Sequence, residues 1–185
     1  NAKFKTMGKL HEIKLEIDIN ASKEAIWETS FTKFGEVNNF NPLILSSHDI
    51  GDVRNQVGAE RACEISAGKF IKEKITSSVG TESFKVDIIE GGLPMMGEMN
   101  AAFNLNALDP NNTNVQVSLF VSTKPAAMIH VMKGMMKAQF FDLLIGLKYH
   151  LETGMLVTKQ NMGTIRKRYK AEAANNECKR ELEIA

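Results

Sequence analysis

Arg61 and Glu73 are the ionisable residues whose placement could do chemistry. Each falls on the apolar side of an alternating stretch, Arg61 with Cys63 and Ile65, Glu73 with Ile71 and Ile75. Ala67-Gly68 lies between the two stretches and fits a hairpin turn, which brings the two residues within about one pairing step of each other. A charge on an inward face is costly unless it is paired or meets solvent or ligand. The pair therefore reads in three ways: as a polar anchor orienting a ligand hydroxyl, carbonyl or carboxylate in a greasy pocket, as a structural ion pair, or as part of a solvated face. An acid–base role would fall to Glu73, Arg61 or His130, and no tight constellation joins them. No catalytic residue is assigned.

Other reactive patterns are missing from the sequence. His11, His48, His130 and His150 form no HExxH motif, and Cys63 and Cys178 stand far apart with no metal-ligand spacing, so no metal is expected. Cys63 reads as a buried strand residue and Cys178 as exposed in a charged segment. There is no Gly-x-Ser-x-Gly elbow, phosphate-binding loop or dinucleotide-binding glycine pattern, so no cofactor is expected.

The methionines are the sharpest ligand signal. Met95, Met96 and Met99 sit in and after a Gly-Pro loop, and Met128, Met132, Met135 and Met136 follow at helical spacing; together they are seven of the chain's ten. Methionine is flexible and polarizable and adapts to irregular apolar shapes. A methionine-rich helix facing a methionine-bearing loop suits the mouth and wall of a pocket. It also suits ordinary core filling. Trp27, Phe31, Phe34 and Phe40 are open in the same way between core and cavity wall.

The elements that must position these residues are legible from their periods. Ile13, Leu15, Ile17 and Ile19 alternate with charged residues, which predicts a strand. Ser22 suits a helix cap and Glu24 the first turn, with Trp27, Phe31 and Phe34 on one face and Gly35 as the stop. Asn41 precedes Pro42 and suits a turn, with a side-chain amide pointing into a cavity as the lesser reading. Further strands are predicted over 43–50, 59–65, 70–77, 84–88, 99–108 and 115–122, separated by Gly- and Asn-rich turns. From Pro125 to about Glu152 the apolar residues recur at helical spacing, giving one helix about 40 Å long that stops at Gly154. A sheet apolar on one side, followed by a long amphipathic helix, is expected to curl around that helix.

The bulk composition fits one domain of 185 residues with net charge +1, so neither nucleic acid nor anionic membrane is an expected main partner. No apolar run is long enough to span a bilayer. The chain begins Asn1-Ala2 without methionine, so a trimmed leader fits it, and a cytoplasmic location is the working expectation. Residues 155–185 carry seven basic and four acidic side chains and read as an exposed helical or partly ordered tail, apart from a domain at 1–154. The run Arg166-Lys167-Arg168 with Lys170 reads as a solvated helix face, with contact to anionic lipid as the minority reading.

Across residues 10–154 the order of short motifs resembles one family. Ile19-Asn20-Ala21-Ser22 leads to Ile26-Trp27, then Phe34-Gly35-Glu36-Val37, Phe40-Asn41-Pro42, Gly58-Ala59-Glu60-Arg61 and Ile71-Lys72-Glu73-Lys74-Ile75. Phe141 to Lys148 and Leu151-Glu152-Thr153-Gly154 close the series. This is similar to the SRPBCC or START-like superfamily, in its bacterial polyketide cyclase/dehydrase and lipid-transport branch. Lys72-Glu73-Lys74 often reads Glu-Glu-Arg in relatives, so the charge pattern is only partly kept. The resemblance implies an α+β helix-grip fold: a seven-stranded antiparallel sheet around a long C-terminal helix, two short helices after the first strand, and a hydrophobic cavity between sheet and helix.

The functional expectation is a binder or transporter of a small hydrophobic ligand (lipid, quinone or polyketide-like). Phe84, Val86, Phe103, Leu105, Met128, Met132, Met135, Met136 and Phe140 would form the wall, joined by Trp27, Phe31 and Phe40, with Arg61 and Glu73 as anchor and Met95 and Met96 at the gate. Burying about 300 Å² of apolar ligand surface yields roughly 7 kcal/mol gross, much of it offset by lost freedom, which suggests micromolar affinity. A polyketide cyclase/dehydratase-type enzyme and a protein-interaction module are the alternatives. Oligomeric state is left open.

Overall fold

The computed structural model describes residues 9–92 and 94–184, with side chains up to residue 174. The side chains of Cys178 and of the charged residues after it lie outside the described residues. Strand β1 (His11–Ile19) opens the chain, and Ser22 caps α1 (Lys23–Trp27) by accepting the Ala25 N–H at 3.2 Å. A π-turn over Glu28–Thr32 and a 3-10 segment over Phe34–Asn39 continue from it. Then come β2 (Ser46–Ile50), β3 (Glu60–Ser66), β4 (Lys69–Val79), β5 (Ser83–Glu90), β6 (Met96–Asp109) and β7 (Asn112–Thr123). A 3-10 turn, Ala126–Met128, leads into α2 (Ile129–Thr153), and α3 is Met162–Ile184.

The sheet is seven-stranded and antiparallel throughout, in the order β1-β7-β6-β5-β4-β3-β2. Its apolar face is set by strand alternation. Ile13 and Ile17 on β1, and Val115, Val117, Leu119 and Val121 on β7, are all buried together in one core. Helix α2 lies on that face. Its C-terminal half is clamped to the end of β1: the Lys148 ammonium donates to the Asp18 carbonyl at 3.0 Å and to Glu152 Oε1 at 2.7 Å, and Glu152 also accepts the Asn20 N–H at 3.1 Å. Gly154 ends the helix in the left-handed conformation, φ 71°, as its position predicts.

Three local expectations are corrected. The 43–50 strand begins only at Ser46, because Asn41 Oδ1 accepts the Leu43 N–H and holds 41–44 in a turn. Gly35 does not stop a helix; it lies within the 3-10 segment, where an added Cβ would fall 2.7 Å from the Asp49 carboxyl carbon and 2.8 Å from the Asp49 backbone nitrogen. The stretch after Gly154 is not wholly exposed. Val157, Met162 and Ile165 are buried in the main core, and Phe141 meets Tyr169 edge-on. Two bonds join Arg166 to Asp142, one of them Nε to Oδ1 at 2.7 Å. This packing covers the back of α2, which is why every residue from Asp142 to Lys148 is buried although the sheet touches only one side.

Candidate functional site: a cavity between α2 and strands β3 to β6

Helix α2 packs against β1 at one flank of the sheet and stands off strands β3 to β6. The space left over is a cavity of about 740 Å³. Its walls come from β3, β4, β5, β6 and the middle of α2, and neither β1 nor β7 contributes. That volume falls within the range of small-molecule sites. Ile71, Val86, Ile88, Met99, Ala101 and Phe103 supply apolar wall from the sheet, while Met136, Phe140 and Leu143 face them from the helix. The rim is formed by the β3–β4 turn with Lys69 and Phe70, the β5–β6 loop with Gly91, Gly92 and Pro94, and Lys159 after α2. Gly91 is required there: its φ is 80° and an added Cβ would collide with the Phe70 carbonyl.

The floor carries the polar residues. Arg61 and Glu73 are direct partners across the β3–β4 ladder, as the hairpin reading predicts. Arg61 Nε donates to Glu73 Oε2 at 2.6 Å, and Nη1 donates to the Phe34 carbonyl at 2.8 Å. The guanidinium also lies 4.0 Å from the Phe34 ring centroid, a cation–π contact. The Cys63 thiol approaches Glu73 Oε2 at 3.4 Å. Its pKa is pushed up to about 12, chiefly by burial, with the Glu73 carboxylate adding to the rise and Arg61 opposing it. Cys63 is therefore a neutral thiol at physiological pH and a poor nucleophile.

Every fully occluded side-chain nitrogen and oxygen among the described residues has a partner. Glu73 Oε1 and Asn41 Nδ2 make no hydrogen bond among those residues, and both side chains line the cavity. They are thus open to it, one as acceptor and one as donor. Gln139 on α2 adds a third polar group to the wall.

Of the residues expected to surround a ligand, Arg61, Glu73, Val86, Met96, Phe103, Met136 and Phe140 are brought together at this cavity. The others are not. Trp27, Phe31 and Phe84 form an aromatic cluster under the floor, with Trp27 stacked on Phe31 at 4.1 Å and Phe84 on Phe103 at 4.7 Å. Phe40, Leu105 and Met132 are buried in the main core, and Met128 packs against its edge. Met95 and Met135 face outward, 50% and 44% exposed. Helical periodicity places Met135 beside Met136 in sequence but about 100° away around the axis, and the sheet reaches only the latter. The strand pattern around Glu73 and Val86 could have found Ile71 and Ile88. Leu143 shares a helix face with Met136 (i+7) and Phe140 (i+3), so helical spacing could have found it, whereas Lys159 reaches the cavity through tertiary packing alone. His130 is exposed on α2 and is not part of the wall. Among the described residues no group of His, Cys, Asp or Glu is placed to hold a metal ion.

No protein-family model matches the sequence, and no curated protein matches it. Solved structures do. Ara h 8.0201 aligns at TM-score 0.66 and 14% identity over 78% of this chain and 99% of its own. A START superfamily protein from Mycobacterium smegmatis aligns at 0.62 and 17%, over 76% and 99%. These likenesses show the helix-grip fold. Norcoclaurine synthase from Thalictrum flavum shares it, at TM-score 0.63 and 16% identity over 79% of this chain and 88% of that one. A further structure of that synthase is in complex with dopamine and hydroxybenzaldehyde.

Proposed function

We propose that this protein binds a small, mostly hydrophobic ligand in the cavity between α2 and strands β3 to β6. The observation that carries this is the cavity itself, about 740 Å³ of space with largely apolar walls. A packed core leaves few voids larger than a water molecule, so a space this large inside a well-packed sheet is a built feature. Binding is driven by moving apolar ligand surface out of water. Orientation comes from the floor: Glu73 Oε1 accepts and Asn41 Nδ2 donates, a pair suited to a hydroxyl or carbonyl on a lipid, quinone or polyketide-like molecule. Arg61 positions Glu73 and is already committed to Phe34, so its main role is to hold the floor. A polar end of the ligand would sit at the rim beside Lys69 and Lys159.

Native mass spectrometry of the protein from its own host, with Nile red titration of the stripped protein, tests this. A co-purifying hydrophobic molecule and saturable Nile red binding are expected. Ile88→Trp, which places an indole in the void, is expected to weaken Nile red binding about ten-fold or more while circular dichroism is unchanged. A stripped wild type that takes up no probe overturns the proposal.

A second reading has one observation behind it. Glu73 presents a free carboxylate oxygen at the floor of a fold that also serves a synthase, so a cyclase or dehydratase-type reaction would use Glu73 as its base. Glu73→Gln would then abolish turnover of the bound compound while leaving its binding intact. Unchanged conversion in that variant rules the reading out.

A further inference from the structure

The outward half of α2 has a pattern that the cavity does not use. Ala127, Val131, Gly134, Met135 and Ala138 are all exposed and fall on one stripe of the helix and its lead-in turn. Val131 is 73% exposed and Met135 44%. Met95, 50% exposed, stands next to the start of this stripe, because its carbonyl accepts the Lys124 N–H at 2.8 Å. His130, Lys133 and Lys137 form the adjoining stripe, also exposed. Lys124, Lys133 and Lys137 make no ion pair among the described residues. No Asp or Glu occurs between Pro110 and Phe141. Glu98, the nearest acid along β6, is exposed and makes no ion pair with these lysines among the described residues.

An exposed apolar stripe bordered by Lys133, Lys137 and His130, with the acid at its far end, Asp142, paired to Arg166, has the charge and shape of a surface that rests on an anionic bilayer. The lysine stems lie along apolar material while their ammonium groups reach lipid phosphates. The turn of helix that carries Met135 also carries Met136, which lines the cavity. We infer that the outward face of α2, with Met95, docks this protein on anionic membrane and brings the cavity rim to the lipid surface. The inference goes beyond ligand binding and can fail without it.

The test is co-sedimentation of the full chain with vesicles of phosphatidylcholine alone or with about one-third phosphatidylglycerol. Partitioning onto the anionic vesicles should be about 100-fold stronger, about five-fold for each of the three lysines, and should collapse near 0.5 M salt, where screening is short-ranged, about 4 Å. Lys133→Gln with Lys137→Gln should weaken it about five-fold per lysine removed. Val131→Ser with Met135→Ser should also weaken it, and both pairs should bind Nile red normally without vesicles. Equal partitioning onto neutral vesicles, or wild-type partitioning in both pairs, overturns the inference. So does loss of partitioning in Lys167→Gln with Lys170→Gln on α3 instead. A dimer in sedimentation velocity that Val131→Ser dissolves would assign the face to a second copy and overturn it equally.

Discussion

Arg61 shows how a single buried charge is tolerated. It has Glu73 on one side, a backbone carbonyl on another and an aromatic ring against its face. Removing one partner from such a set costs more than the set contributes, because the remaining charge stays buried alone. Arg61→Met is therefore expected to destabilise the protein by about 3 kcal/mol in urea denaturation. Combining it with Glu73→Leu should recover much of that loss. Cys63 gives a prediction in pH. Its thiol titrates near 9 when unfolded and near 12 when folded, so the unfolded state releases the proton first. Stability is unaffected below pH 9 and falls as pH rises from 9 toward 12. Wild type and Cys63→Ala should show parallel stability up to pH 9 and diverge above it, with the wild type losing more. Native Cys63 should also resist thiol reagents at pH 8.

Among the elements, α2 combines two environments. Its C-terminal half is surrounded, and its first half is buried along one stripe only. Gly146 marks the tightest approach, where an added Cβ would collide with the Phe40 carbonyl. Gly146→Ala must push α2 from the 3-10 segment or distort that backbone, so a loss of about 2 kcal/mol is expected in thermal or chemical denaturation. The exposed Gly134 has nothing within 4 Å of an added Cβ. Gly134→Ala should instead stabilise the helix by up to about 1 kcal/mol, which makes the pair an internal control.

For the whole molecule, the question is where the folding unit ends. Val157, Met162 and Ile165 belong to the main core, and Val157 N–H donates to the Asn39 carbonyl at 2.9 Å. A protein truncated after Gly154 would expose that surface on α2. It is expected to melt at least several degrees lower than the full chain, whereas truncation after Ala174 should change the melting temperature little. Lys159 leaves the cavity rim in the shorter form, so its probe affinity should change as well. Equal melting temperatures in the two forms would place the boundary at 154. No described helix is long and apolar enough to cross a membrane.

Alternation and turn residues along the chain were enough to establish the strands, the long helix and the Arg61–Glu73 pairing. These depend on a side-chain period of two or 3.6 and on neighbours joined by a short turn, all local properties. The same local rules could not sort the methionines and aromatics. Met135 and Met136, or Phe84 and Phe103, are equally apolar, and burial draws both kinds inward until shape decides. Only the tertiary structure settles which apolar surfaces meet and which stand apart. Here α2 is fastened to β1 through Lys148 and Glu152 and packs down along β1. A rigid helix held to one flank of a curved sheet cannot also fill the other, and the unfilled side is the cavity.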